Sequence, residues 1–123
     1  MKKITIIAGK VKAEAELNEG TTATAIWEAL PIEAHANTWG EEIYFEIPVE
    51  AESSDDARAD VEIGELGYWP PGSAFCIFFG RTPASRGSKP RAASPVNPLG
   101  HLTGDAKVFA AVEDGEKVTL KRA

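Results

Sequence analysis

Cysteine occurs once in this chain, at position 76, and histidine only twice, at positions 35 and 101. One thiol closes no intrachain disulfide, and a lone cysteine fits a reducing compartment. Cys76 lies in the most apolar run, Ala74-Phe75-Cys76-Ile77-Phe78-Phe79, where burial raises a thiol's pKa and keeps it inert. Two separated histidines and one buried thiol fall short of a zinc site. There is no Gly-x-Ser-x-Gly elbow and no phosphate-cradling glycine loop, which argues against serine hydrolysis and nucleotide chemistry. Positive charge is scarce too: 13 Lys and Arg face 19 Asp and Glu, for a net charge of −6. That excess repels phosphate backbones and anionic lipid, so neither nucleic acid nor membrane is an expected partner. No run approaches the roughly 20 apolar residues of a membrane helix. The stretch opened by Met1-Lys2-Lys3-Ile4 ends by Lys10, too soon for a signal sequence. The expectation is a cytoplasmic protein with no metal and no cofactor.

What is present is an ordinary globular composition, 43% hydrophobic and 26% charged over 123 residues, which predicts one domain spanning 1–123 with one core. Ile4 and Ile6 alternate with Thr5, and Val11, Ala13, Ala15 and Leu17 alternate with charged residues. The apolar parity flips across Ala8-Gly9-Lys10, as a turn between antiparallel strands requires. Ala23, Ile26, Trp27 and Leu30 then fall at helical spacing. Thr21 or Thr22 is placed to cap this helix and Pro31 to end it. Ile43, Phe45, Ile47 and Val49 form one face of a strand, and Glu42, Tyr44 and Glu46 the other. Glu41 and Glu42, adjacent on that segment, should point to opposite sides and form no carboxylate pair.

Residues 50–60 read as a solvated acidic loop without the spacing of a calcium site. Residues 64–72 read as a proline- and glycine-rich turn, with Trp69-Pro70 the step to inspect for a cis bond. Residues 74–79 read as a strand buried on both faces. Pro83 to Pro98 reads as one long loop. A short helix within 105–112 and a last strand around Val118 and Leu120 follow, separated by the Asp114-Gly115 turn. His101 belongs to a short strand and faces solvent. Short strands punctuated by turns favour a barrel or sandwich.

Taken in order, these segments resemble a cyclophilin. Thr21-Thr22-Ala23 through Trp27 to Leu30 is similar to that family's helix, and Gly72-Ser73-Ala74-Phe75-Cys76-Ile77 to its Gly-Ser-Gln-Phe-Phe-Ile strand. Leu99-Gly100-His101-Leu102 resembles its Phe-Gly-Lys-Val segment. Longer strings are similar to a compact bacterial and archaeal group, the cyclophilin-like proteins of unknown function: Gly67-Tyr68-Trp69-Pro70-Pro71-Gly72, Phe78-Phe79-Gly80-Arg81-Thr82-Pro83 and Ala93-Ser94-Pro95-Val96-Asn97. The resemblance implies a mainly β protein, a closed eight-stranded barrel with one or two short helices. It does not bring the isomerase residues with it, since Trp39-Gly40-Glu41-Glu42-Ile43-Tyr44-Phe45 holds neither the arginine nor the glutamine of that family.

The candidate site is therefore the barrel mouth. The 83–98 loop and the 68–72 turn are expected to meet there, with Tyr44, Tyr68, Trp69 and Phe79 as apolar walls and Arg81, Ser94 and Asn97 as polar groups. An apolar cleft with a few polar groups is how ligand sites are built. The expected occupant is a proline-containing peptide or a small apolar ligand. Two alternatives stand beside this reading. One is a divergent peptidyl-prolyl isomerase with Arg81 as the cationic donor toward the prolyl nitrogen. The other is a structural or oligomerising protein with no pocket ligand.

Overall fold

Alternation in the first seventeen residues builds the first ladder of the structure, a computed structural model that describes residues 2–123. Strands β1 (Lys2–Ala8) and β2 (Val11–Leu17) pair antiparallel, with Ala8 opposite Val11 across the turn. Ile4, Ile6, Ala8, Ala15 and Leu17 all enter the core. Helix α1 (Thr21–Ala29) buries Ala23 and Ile26. Its N-cap is Gly20 and not a threonine; the Thr22 hydroxyl instead accepts from the Asn97 amide at 3.1 Å. Leu30 takes extended geometry (φ −66°, ψ 145°) ahead of Pro31, because the proline ring crowds a helical predecessor. The cis peptide falls at Leu30-Pro31 and not at Trp69-Pro70.

The chain continues through β3 (Ile32–His35), β4 (Asn37–Thr38), β5 (Glu42–Glu46), β6 (Arg58–Asp60), β7 (Glu65–Trp69), β8 (Ala74–Phe78), β9 (Arg91–Leu102) and β10 (Lys117–Arg122). Short 3-10 turns occupy Pro70–Gly72 and Ala106–Ala111. The strands form one sheet in the order β3-β10-β1-β2-β9-β7-β8-β5-β4, with β6 attached to β9. This corrects the expected closed, eight-stranded barrel: the described residues form ten strands, and their ladder does not close. The two ends of the sheet, β3 and β4, are consecutive in the chain and meet only through buried Ala36. The segment changes partner there. β3 pairs with β10, β4 pairs with β5, and the Ala36 backbone is bonded to Glu116 and Gly115. The sheet curls far enough to bring β3 against β5, with the core inside the curl.

Two segments depart from their expected form. Residues 65–69 are a central strand between β8 and β9, not a turn. The prolines that suggested a turn fall just past its end, where no ladder hydrogen bond is lost. The expected 83–98 loop stops at Pro90, and β9 carries both Pro95 and Pro98. A strand tolerates proline at irregular pairing, and the β7–β9 register shifts between Leu66 and Gly67, the residue opposite Pro98.

Tyr68 and four phenylalanines, Phe45, Phe75, Phe79 and Phe109, fill the interior. Phe45 stacks on Phe75 with ring centroids 5.3 Å apart, and Phe79 meets Phe109 at 6.5 Å. The Tyr68 hydroxyl donates to Val49 O at 2.7 Å and accepts from Ala51 N at 3.1 Å. Tyr68→Phe is expected to cost about 2 kcal/mol, since two backbone groups lose their partner while the ring still fills its space. Urea denaturation checks this: the midpoint should fall at unchanged slope.

Candidate functional site

Strand β8 is buried along its whole length because apolar groups cover both of its faces. Phe75 and Ile77 point into the core. Ala74, Cys76 and Phe78 point the other way, into a second apolar cluster with Val61, Ala92 and Val96. The outer cluster lies on the opposite side of the β5–β8–β7–β9 sheet from the core, as strand alternation dictates. Gly67 makes room for it. A Cβ there would lie 2.7 Å from the Val96 side chain, so the bare backbone of β7 lets β9 pack closely.

A cavity of about 170 Å³ opens beside this cluster. Its walls come from three aromatic residues, Trp39, Tyr44 and Trp69, and from Cys76, Ala92, Ala93 and Val96, with Glu42 as its ionisable acid. The turn before β5 places Trp39 next to Glu42: Trp39 N donates to Glu42 O at 3.0 Å and Glu42 N to Trp39 O at 3.2 Å. Gly40 forms the corner at φ +61°, and a Cβ there would lie 2.9 Å from Arg81 O. On β7, the Trp69 indole donates to Ser94 Oγ at 2.7 Å, which fixes the ring across the pocket from β5. Trp69→Phe is expected to loosen this wall and cost about 1 kcal/mol, the worth of one side-chain hydrogen bond, read by thermal unfolding.

Glu42 is the unusual group. It is only 5% exposed, and its Oε1 has no hydrogen-bond partner. Desolvation by burial pushes its carboxyl up to about 7, against a smaller lowering by the Cys76 thiol. Burial, and then the charge of Glu42, push Cys76 well above the ordinary thiol range. Cys76 is therefore a protonated wall residue, and its Sγ lies 3.8 Å from Ala74 O. Glu41 turns away from the pocket. It accepts from Arg81 N at 3.3 Å and lies 3.6 Å from Lys107 Nζ.

The structure divides the seven residues proposed from sequence. Tyr44 and Trp69 line the pocket, and Ser94 stands behind Trp69. Tyr68 and Phe79 face the core on the other side of the sheet. Asn97 is buried, donating to Thr22 Oγ1 and Glu52 O and accepting from Ser54 N. Arg81 is exposed and is not a pocket residue. Trp39, Glu42 and Cys76 are pocket residues that the sequence reading left out. The signal available for them was the shared strand face of Glu42 and Tyr44, next to Trp39. Among the described residues no group of three His, Cys, Asp or Glu side chains is placed to hold a metal ion, and no helix is long and apolar enough to cross a membrane.

A curled antiparallel sheet with one helix packed on its core is the architecture of a cyclophilin-like protein. Residues 2–121 match the family model described as Cyclophilin-like, and the chain belongs to that family. It is similar to the hypothetical protein AF2241 from Archaeoglobus fulgidus, whose solution structure is 40% identical over 99% of this chain and 95% of that one, with a TM-score of 0.84. McbB, solved in complex with tryptophan, shares the fold at 16% identity and a TM-score of 0.70, over 97% of this chain and 44% of that one. No curated protein matches the chain.

Proposed function

We propose that the protein binds a small apolar ligand, or an apolar side chain of a peptide segment such as a proline-containing one, in the pocket between Trp39 and Trp69. The observation that carries this reading is the pocket itself: apolar walls, aromatic residues from three separate segments, and one buried polar atom without a partner. Ligand sites are built of such parts. The site lies on the outer face of the sheet and not at a barrel mouth. Isomerisation at Arg81 draws no support from this geometry, because that side chain is absent from the pocket walls. A cytoplasmic location is part of the proposal, on the strength of the single free thiol at Cys76.

The test is a titration of the protein with indole and with a short Ala-Pro peptide, followed by amide shifts and tryptophan fluorescence. Indole is a reasonable first probe because McbB, alike in fold, is described with tryptophan. Saturable changes centred on the Trp39 turn, β5, β7, β8 and the start of β9 are expected. Trp69→Ala should weaken binding by at least about tenfold, a loss of roughly 1.4 kcal/mol. Absence of saturable change with either probe up to millimolar concentration would overturn the reading.

A further inference from the structure

The outer-face pocket carries a chemical bias beyond its apolar character. Glu42 is buried with one carboxylate oxygen unpartnered, and a buried acceptor without a donor is costly. No Lys, Arg or His lines the cavity. Three aromatic residues do, from the turn before β5, from β5 itself and from β7. Aromatic rings attract a cation through their electron-rich faces, most strongly when water is excluded. The cavity, about 170 Å³, compares with the roughly 150 Å³ that accommodates benzene in an engineered protein core. The net charge of −6 draws cations toward the surface.

From these features we infer that the pocket selects an alkylammonium group, its nitrogen donating to Glu42 and its carbon substituents seated among Trp39, Tyr44 and Trp69. The inference rests on the proposed role of this pocket as a ligand site. It adds the ligand's charge and donor, which the apolar walls alone do not specify.

The carboxyl of Glu42, held up near 7, makes the selection depend on pH. The titratable groups facing it are Tyr44 on its own strand and Cys76 on β8; the stretches of β7 and β9 that line the cavity contribute Trp69, Ala92, Ala93 and Val96, none of which titrates. Glu42 is charged above pH 7 and neutral below, so cation preference rises with pH.

The experiment compares n-butylammonium with 1-butanol, probes of nearly equal size that differ in charge, by NMR titration at pH 5.5 and 8.5. The amine remains charged at both values, as a lysine does. At pH 8.5 the ammonium should bind about tenfold tighter than the alcohol, roughly 1.4 kcal/mol. That preference should fall to about twofold or less at pH 5.5, and likewise in Glu42→Gln at pH 8.5. Equal affinities at pH 8.5, or a preference that survives Glu42→Gln, would overturn the inference while leaving the pocket a ligand site. Failure of both probes to bind would overturn it too, and the indole titration then judges the binding reading separately.

Discussion

Glu42→Gln is expected to stabilise the protein by about 3 kcal/mol at pH 8 and to change its stability little at pH 5. The folded state holds the Glu42 carboxyl near 7, against 4.5 in the unfolded chain. An acid whose folded pKa is raised binds its proton more tightly when folded. Its contribution is favourable below pH 4.5 and is lost as pH rises through 7. At about 1.4 kcal/mol per unit, the shift amounts to about 3 kcal/mol once the carboxylate is charged. Burial justifies using the shift at full size, since the residue is only 5% exposed. Glutamine keeps the shape and removes the charge. Urea denaturation of both proteins at pH 5 and pH 8 gives the answer. A gain that is the same at both values, or a loss at pH 8, would show that Glu42 is not held in a state that resists ionisation. The expected gain has a functional meaning: proteins keep costly buried charges at sites where activity needs them.

The second large effect is structural and lies at Asn97. Its amide donates to Thr22 Oγ1 at 3.1 Å and Glu52 O at 2.8 Å, and its carbonyl accepts from Ser54 N at 2.9 Å. One side chain thereby ties β9 to α1 and to the acidic segment after β5. Asn97→Ala removes all three bonds and strands a buried hydroxyl. The expected cost is about 3 kcal/mol, a fall of roughly 10 °C in Tm. Asn97→Asp tests the chemistry separately from the volume. A carboxylate still accepts from Ser54 N but meets the Glu52 carbonyl with no proton to offer, so it should also destabilise near neutral pH. A native-like Tm for Asn97→Asp at pH 7 would rule out the amide's donor role.

Asn97 also shows how far local pattern reaches. In sequence it sits in a string of small residues and prolines that reads as a loop over the candidate pocket. Those residues form a strand, not a loop, and the strand turns Asn97 away from the pocket. The error came from reading proline as a loop former. Pro95 and Pro98 are accommodated because β9 pairs irregularly with β7, and pairing is a property of two strands at once. The same holds for residues 65–69, where Pro70, Pro71 and Gly72 suggest a turn and Gly67 lies inside the strand. Its missing side chain instead admits Val96 from the neighbouring strand.

Other features were legible. The parity flip at Gly9, the end of the helix at Pro31, the two-sided burial of β8, the inert thiol at Cys76 and the divergence of Glu41 from Glu42 all depend on near neighbours in the chain. Alternation correctly placed Glu42 and Tyr44 on one face and Ile43, Phe45 and Ile47 on the other. It left open what covers the first face.

The sequence by itself thus determined the inner and outer faces of β1, β2 and β5 and the position of the helix, because each follows from steric preferences over a few residues, while the family likeness rests on its matching strings. Only the tertiary structure decided that Glu42, on the outer face of β5, is covered. The start of β9 and the Trp39 turn close over a carboxylate that would otherwise face water. Alternation sets which way a side chain points; what lies in that direction is set by segments fifty residues away.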